Sequence, residues 1–474
     1  MGKNIIIFSD GTGQSGGLFP DEARSNVYKL FRATRCGPES DIDPARQFAF
    51  YDPGLGSASD GGGYRFSWMR KIYNIMSGAT GLGITRNIID CYAAILRVWE
   101  PGDRIYLFGF SRGAYTARCV AGVLGLCGVP TRMKDESPLR RDPVTARAIA
   151  AEAVKSVYQH GSSIKDDPKK AERLAKAAAF RETYGSNEDD RSNAPPYFIG
   201  VWDTVATLGV GWIPLIVISL IAYFLSTAAV YMLSRLFASQ LPNAIEKMSW
   251  WGSLLTVVAI SGIAYLIMSF RYRQWMSLAK YRMAFYDTTL NPRVDYARHA
   301  LAIDENRRDF QRVAWAEDGS ADFFAGREGP ERFKQIWFCG VHSDVGGSYI
   351  EPESRLSDIS LKWMTDEAKE LPCPIFVDER YLRTFPLPTG MQHDERQNTL
   401  AGWSRWFVWT LSLFLAPDRI GWPEGFRNIP HNAPLHPSVL ERFQALGVIS
   451  YGDFKPYRPP SLCEHQDVRQ YYQA

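Results

Sequence analysis

The residue best placed for chemistry is a serine between two glycines. Ser111 is the centre of GFSRG, residues 109–113, which follows an apolar run at residues 105–108 and precedes small residues at 114–124. The run is typical of a buried strand and the small residues of a closely packed helix, so Ser111 is predicted to lie on the tight turn between them. Such a turn exposes the hydroxyl, and glycines on either side let other backbone approach it. The pattern indicates a nucleophile, although an ordinary glycine-rich turn would give the same five letters.

Two more polar residues follow predicted strands further along the chain. Asp203 comes after YFIGVW, residues 197–202, and His342 after QIWFCGV, residues 335–341. Because the carboxyl ends of parallel strands meet at one edge of a sheet, these two side chains and Ser111 are expected to converge. A histidine can take the serine proton, and an aspartate can fix the tautomer of the imidazole and stabilise its charged form. The chain order serine, aspartate, histidine is that of a triad on an open sheet of the α/β-hydrolase type.

Backbone donors for a developing oxyanion are expected on both sides of the serine. The N–H of Arg112 directly follows the nucleophile and is one candidate. The second is an N–H near Gly11 or Thr12, in the loop after NIIIF, residues 4–8, which is predicted to be the first parallel strand.

Other assignments of the acid and the base stay open. Asp344 lies two residues beyond His342 and is a rival or accessory acid, and Asp10 is another. Asp10, Asp203, His342 and Asp344 also have the ligand chemistry of a hydrolytic metal site. His436 is a reserve base far along the chain.

The elements that must position these residues alternate in type. Helical spacing and β-type runs predict an α/β fold with a mostly parallel sheet and a polar helical insertion at about residues 133–193. The predicted helices are residues 26–35, 85–99, 144–158 and 169–181, and a further strand is residues 47–51.

Two segments after Asp203 have no charged residue. Residues 212–233 and 250–270 each reach the roughly 20 apolar residues that cross a bilayer, which predicts a two-helix transmembrane hairpin. The basic residues after the second segment weakly favour a cytoplasmic catalytic part. Residues 402–416 are too short to span and are expected to be an interfacial or a core helix.

Composition excludes several classes of protein. The 474 residues are 46% hydrophobic, enough for a large core, and the formal net charge of +3 gives no general attraction to nucleic acid. The seven cysteines have no CxxC spacing, which favours reduced thiols over a disulfide or zinc framework. A triad of this kind needs no cofactor and no metal.

Five motifs resemble one known family. FSDGTGQ, YDPGLG, GDRIYLFGFSRGAYTAR, VWDTV and FCGVHSDVGGSY occur in this order, with LHPSVLERF near the C-terminus. They are similar to the DUF2235 family of α/β-hydrolases, which includes phospholipase effectors of type VI secretion. The resemblance implies a serine esterase or lipase using Ser111, Asp203 and His342, with a phospholipid or other acyl ester as substrate. The inserted hairpin is not a core feature of that family and favours a resident membrane enzyme.

These inferences predict the organisation of the whole chain. Residues 1–211 form the first part of the hydrolase core, 212–270 the hairpin, 271–380 the second part of the core, and 381–474 a C-terminal packing segment. The enzyme is expected at a membrane, the bacterial inner membrane by its resemblance, with the bilayer and its lipids as partners. The competing hypotheses are the metal-dependent hydrolase and a non-catalytic scaffold of hydrolase-like fold.

Overall fold

The computed structural model describes most of the chain outside the apolar segments. The described residues are 2–11, 14, 16, 22–53, 84–161, 169–205, 207–208, 281–282, 290–291, 293–308, 310, 312–313, 315, 331–396 and 424–473. The predicted hairpin at 212–270 and the predicted helix at 402–416 lie outside them. Within the described residues, no helix is both long enough and apolar enough to cross a membrane.

The chain divides into two compact units. One comprises Met1–Ala206 with Met283–Ala474, and the other is Thr207–Arg282. In the second unit, the described residues at its two ends pair as antiparallel strands, Thr207 opposite Arg282 and Leu208 opposite Tyr281.

The strands of the described residues are numbered in chain order. They are β1 (Asn4–Ser9), β2 (Arg24–Ser25), β3 (Gln47–Asp52), β4 (Arg104–Phe110), β5 (Asn187–Glu188), β6 (Arg191–Ser192), β7 (Phe198–Trp202), β8 (Thr207–Leu208), β9 (Tyr281–Arg282), β10 (Tyr296–Ala302), β11 (Phe333–Phe338), β12 (Gly347–Tyr349), β13 (Val448–Ser450) and β14 (Asp453–Lys455).

The helices follow the same order. They are α1 (Asn26–Thr34), α2 (Ile84–Val98), α3 (Arg112–Cys127), α4 (Pro143–Glu152), α5 (Lys170–Tyr184), α6 (His342–Gly346), α7 (Arg355–Lys369) and α8 (Pro437–Gln444). A π-helical turn, Ala153–Tyr158, continues α4, and short 3₁₀ turns occupy Glu351–Glu353, Pro460–Leu462 and Arg469–Tyr472.

A six-stranded sheet forms the centre of the larger unit. Its strand order is β11-β10-β7-β4-β1-β3, and every neighbouring pair is parallel. Parallel strands are buried on both faces, which is why their sequences read as nearly continuous apolar runs. The predicted α/β fold with a mostly parallel sheet is confirmed.

Helices cover both faces of this sheet. On one face, Phe8 and Phe108 stack with ring centroids 5.2 Å apart and share a buried core with Leu30 of α1 and Met364 of α7. On the other face, α2 and α3 contact β1, and Ile5 lies fully buried. Because successive side chains of a strand point to opposite faces, each strand contributes to a core on both faces of the sheet.

The C-terminal segment packs on the far edge of the sheet. Trp337 of β11 donates its N–H to Pro434 O at 3.0 Å, and its carbonyl accepts the N–H of His436 at 2.9 Å. Phe443 of α8 and Tyr457 lie in a buried cluster with Trp337. The described part of this segment thus belongs to the same packed unit as the sheet.

One central strand has no counterpart in the sequence analysis. β10 reads YARHALA and carries Arg298 and His299, which disguise a strand that is buried on both faces. Arg298 is satisfied by Glu367 Oε2 at 2.6 Å and His299 by Gln335 Oε1 at 3.2 Å. Tertiary partners, which a local pattern cannot show, make these polar residues compatible with the core.

Candidate active site

The serine stands on a strained turn between β4 and α3. Ser111 has φ 56° and ψ −118°, a region that non-glycine residues avoid, and its N–H donates to Trp202 O at 3.1 Å. A Cβ on Gly113 would lie 2.0 Å from Ser9 O, and one on Gly109 would lie 2.4 Å from Gly113 O. The two glycines are needed because α3 starts in direct contact with the strands beneath it.

The register of the sheet places the aspartate beside this turn. Phe110 of β4 is the direct partner of Trp202 of β7, so Ser111 and Asp203 leave the sheet from neighbouring strands at the same level. Asp203 also has a positive φ, 41°. Strained backbone at both positions is typical of functional sites that the surrounding structure holds in place.

The histidine reaches the aspartate from two strands away. His342 begins α6, which follows β11, and its Nδ1 lies 2.5 Å from Asp203 Oδ2. Gly346 lets α6 pack against Phe110, since a Cβ there would lie 1.9 Å from Cε2 of Phe110. The bond at Nδ1 leaves Nε2 as the ring atom available for proton transfer.

His342 Nε2 is buried and has no hydrogen-bond partner among the residues that the structure describes. The structure therefore brings Asp203 and His342 into contact but does not join the Ser111 hydroxyl to the imidazole. Catalytic hydrogen bonds are often long in enzymes without substrate and tighten when substrate binds.

Two aromatic rings and the Glu305 carboxylate contact His342. The rings of Phe110 and His342 are 4.6 Å apart, and the ring of Phe310 meets His342 edge-on at 5.7 Å. The N–H of His342 donates to Glu305 Oε2 at 3.1 Å, which fixes the start of α6. Ser111 is 8% exposed and His342 is 5% exposed, so the reacting groups are largely shielded from water.

A buried ion pair holds the aspartate. Arg427 Nη2 donates to Asp203 Oδ2 at 2.9 Å, and Nη1 donates to the other carboxylate oxygen. Burial opposes ionisation of Asp203, but the Arg427 guanidinium and the hydrogen bond with His342 outweigh it and hold the pKa of Asp203 well below its usual range. Asp203 is therefore a carboxylate throughout the physiological pH range.

The predicted oxyanion donors differ in where their N–H groups are directed. Arg112 is the first residue of α3, whose amino-terminal N–H groups point toward the serine turn. The Gly11 N–H donates instead to Asp10 Oδ1 at 2.7 Å, so in this structure it is directed at a carboxylate. Thr12 lies outside the described residues.

Asp10, predicted as an accessory acid, has partners outside the triad. Its Oδ2 accepts hydrogen bonds from Ser25 Oγ at 2.5 Å and from Tyr51 OH at 2.7 Å. Burial raises the pKa of Asp10 to about 6, although its hydrogen bonds with Ser25, Tyr51 and Gly11 partly oppose the shift. Asp10 organises the loop after β1.

Asp344, the other predicted acid, holds a different histidine. Its Oδ1 lies 2.7 Å from His393 Nδ1, and its Oδ2 accepts the N–H of His393 at 3.1 Å. Tyr349 stacks on the His393 ring with centroids 3.5 Å apart. Asp203 is thus the acid in contact with His342, and Asp344 fixes the segment around His393 to α6.

The geometry does not assemble the alternative metal site. Among the described residues, which include Asp10, Asp203, His342 and Asp344, no three His, Cys, Asp or Glu side chains are grouped so that they could hold a metal ion. The reserve base His436 caps α8 through Ser438 N at 3.2 Å, and burial lowers its pKa to about 4.

The sequence matches a known family over most of its length. Residues 3–367 match the model of the T6SS Tle1-like phospholipase effector catalytic domain. The chain belongs to this family. It therefore carries a catalytic domain of the phospholipase class, which agrees with the resemblance read from its motifs.

Three individual proteins are similar to parts of this phospholipase-family chain. An uncharacterized protein of Saccharomyces cerevisiae, YEL023C, is 33% identical over 138 residues, which are 28% of this chain and 19% of that protein. An uncharacterized protein from Pseudomonas aeruginosa has a crystal structure that matches with 17% identity and a TM-score of 0.34, covering 81% of this chain and 48% of the other. The Tle1 effector bound to the VgrG spike of the type VI secretion system matches with 16% identity and a TM-score of 0.30, covering 75% and 52%. The match spans about half of each solved chain and about a fifth of the yeast protein.

Three contacts of the candidate site carry no local sequence signal. Arg427 holds Asp203 from beyond the residues that the family model matches, Glu305 accepts the N–H of His342, and His393 occupies Asp344. Each pair is far apart in sequence, so only the folded chain reveals them.

Proposed function

We propose that the protein is a serine esterase of the phospholipase class that uses Ser111 as nucleophile, His342 as general base and acid, and Asp203 as the orienting acid. The observation that carries the proposal is the contact of 2.5 Å between His342 Nδ1 and Asp203 Oδ2, because it leaves Nε2 oriented for proton transfer. The strained turn at Ser111 and the match to a family of phospholipase catalytic domains support it independently.

The reaction follows from these positions. Ser111 Oγ attacks the ester carbonyl while His342 Nε2 takes the hydroxyl proton, and the imidazolium then donates that proton to the departing alcohol. Water attacks the acyl-enzyme with the same base, which restores the serine and releases the fatty acid. The Arg112 N–H, at the start of α3, is the proposed oxyanion donor, and Asp203 stabilises the imidazolium in both steps.

The proposed substrate is an acyl ester of a membrane lipid. The family is one of phospholipase effectors, and the aromatic rings of Phe110 and Phe310 give the site an apolar wall. An apolar wall favours the acyl chain of the substrate over a charged headgroup at this position.

Membrane attachment is proposed from the sequence. Residues 212–233 and 250–270 are uncharged and long enough to span a bilayer, and tryptophans stand at their ends, where aromatic belts form. Such a hairpin would keep both parts of the core on one side of the membrane, and the basic residues after the second segment favour the cytoplasmic side. The test is extraction of membranes with alkaline carbonate: the protein is expected to stay in the pellet, and release into the supernatant would contradict a spanning hairpin.

The test of the chemistry is hydrolysis of phospholipid vesicles by the purified protein and by Ser111→Ala. The variant is expected to release no fatty acid above background, since no other group supplies the nucleophile. A matched control is Ser186→Ala, which removes a buried hydroxyl bonded to Cys127 O at 2.6 Å, at the far end of α3. Undiminished hydrolysis by Ser111→Ala would reject the mechanism.

The alternative to an enzyme is a non-catalytic scaffold. A hydrolase-like scaffold would have no activated serine, so a fluorophosphonate probe separates the two proposals. Labelling of the wild-type protein is expected, and absence of labelling together with absence of hydrolysis would favour the scaffold.

A further inference from the structure

The aspartate of the proposed triad has a partner from the C-terminal segment. Arg427 lies beyond residue 367, where the match to the family model ends, yet the residue is 3% exposed and its guanidinium reaches Asp203 at the centre of the site. It contacts both carboxylate oxygens of Asp203 and also donates to Ala302 O and Phe310 O, each at 3.1 Å. The two carbonyls fix the guanidinium, and the guanidinium fixes the carboxylate.

We infer that Arg427 is a positioning residue of the catalytic triad: its guanidinium fork orients Asp203 toward His342, so the C-terminal segment completes the active site. This inference rests on the proposed function. A planar fork that binds two oxygens at once defines the rotation of the carboxylate, which a single point charge does not.

The charges around the pair identify Arg427 as the counter-ion of Asp203. Glu305, a neighbouring carboxylate, is bound at both oxygens by Arg307, at 2.6 and 3.0 Å. Among the described residues, His299 of β10 interacts electrostatically with Asp203, and Arg118 of α3 and Arg312 act on His299. Asp344 of α6 binds His393 and not the pair.

The arrangement also predicts a pH-dependent effect of removing Arg427. Loss of a positive charge beside a carboxylate favours proton uptake by the groups in contact with that carboxylate. Removal of that charge is therefore expected to move the acidic limb of the kcat/KM profile to higher pH. A merely structural arginine would not have this effect.

The experiment compares Arg427→Met, which removes charge and fork, with Arg427→Lys, which keeps the charge alone. Hydrolysis of p-nitrophenyl butyrate is measured from about pH 5 to about pH 9, a range that spans the ordinary pKa of histidine. Arg427→Met is expected to lose about 10²-fold in plateau kcat/KM through misalignment and to shift its acidic limb upward by about one pH unit or more. Arg427→Lys is expected to restore the position of the limb with a plateau still below that of the wild type.

A matched control comes from the same segment. Arg442 is fully buried and donates to Pro388 O and Gly390 O, so Arg442→Met removes an equally buried guanidinium away from the triad. Its pH profile is expected to keep the wild-type shape. If Arg427→Met does not fold, Arg427→Lys tests the positioning role instead, because it retains the positive charge beside Asp203 but lacks the planar fork.

Three outcomes would each reject a different claim: the positioning role of Arg427, the need for its planar fork, or the proposed function. A folded Arg427→Met with the wild-type profile rejects the positioning role. Wild-type rates in Arg427→Lys at every pH reject the role of the fork. Hydrolysis that persists in Ser111→Ala rejects the proposed function itself, whatever the Arg427 variants do.

Discussion

The serine turn depends on a close approach that one methyl group would prevent. A Cβ on Gly113 would lie 2.0 Å from Ser9 O, 2.4 Å from Ser9 C and 2.7 Å from Asp10 O, all of them backbone atoms at the end of β1. Real Cβ atoms stay beyond 3.0 Å, so Gly113→Ala must separate α3 from β1 by about 1 Å, the difference between 3.0 and 2.0 Å.

That displacement acts directly on Ser111, which is separated from Gly113 by one residue. A shift of about 1 Å in a catalytic group can lower the rate about 10²-fold, and we expect a loss of this size in kcat/KM. Overpacking costs about 1–3 kcal/mol of unfolding free energy, and the better helix propensity of alanine returns about 1 kcal/mol of it. Activity should therefore fall far more than stability.

The assay is hydrolysis of p-nitrophenyl butyrate, with thermal unfolding measured on the same samples. Gly125→Ala is the matched control, because it lies on the same helix. Within the part of the chain that the structure describes, its Cβ would meet only the side-chain amide of Asn291, at 2.3 Å from Nδ2, which can rotate away. Gly125→Ala should keep its activity. A folded Gly113→Ala with unchanged kcat/KM would refute the argument that this contact positions the nucleophile.

Three further predictions concern charge. Asp203→Asn should lower kcat about 10⁴-fold. It should also lower the unfolding free energy by about 3–5 kcal/mol, because the Arg427 guanidinium is left buried without its partner. Kinetics and urea unfolding measure the two effects, and a near-normal kcat would contradict the role of Asp203. Burial opposes protonation of His393, but Asp344 and Glu353 raise its pKa, so the stabilisation from the imidazolium should be present below its ordinary pKa and be lost as the pH rises through the raised value. Wild type and His393→Gln should thus differ most in urea unfolding at about pH 6 and least at about pH 9, and the opposite trend would refute this. Treatment with EDTA should leave hydrolysis unchanged, since the described carboxylates and histidines form no metal-binding group, and a loss restored by a divalent cation would favour the metal alternative.

The sequence predicted those parts of the molecule that depend on local pattern. The strand before Ser111 and the helix after it appear as β4 and α3, because apolar runs and flanking glycines are local signals. The contact between Asp203 and His342 was predictable as well, since both follow strands of one parallel sheet.

Features that depend on distant partners could not be predicted. β10 is missing from the sequence analysis because Arg298 and His299 interrupt its apolar pattern, and only Glu367 and Gln335 explain their burial. The sequence around Arg427 has no recognisable motif. Its contact with Asp203 forms only because the C-terminal segment packs against β10 and β11.

The same limit applies to the accessory acids. Asp344 is two residues from His342, so sequence distance made it a natural rival to Asp203. On the short helix α6, however, its side chain turns toward His393, which no local pattern links to it. Spacing along the chain located the site but could not assign every partner within it.

The most direct measurement is the position of a covalent adduct. Wild-type protein treated with a fluorophosphonate and digested should yield one modified peptide, with the adduct on Ser111, and His342→Ala should label far more slowly because the hydroxyl has lost its base. An adduct on another serine, or hydrolysis that continues after Ser111 is fully modified, would contradict the account.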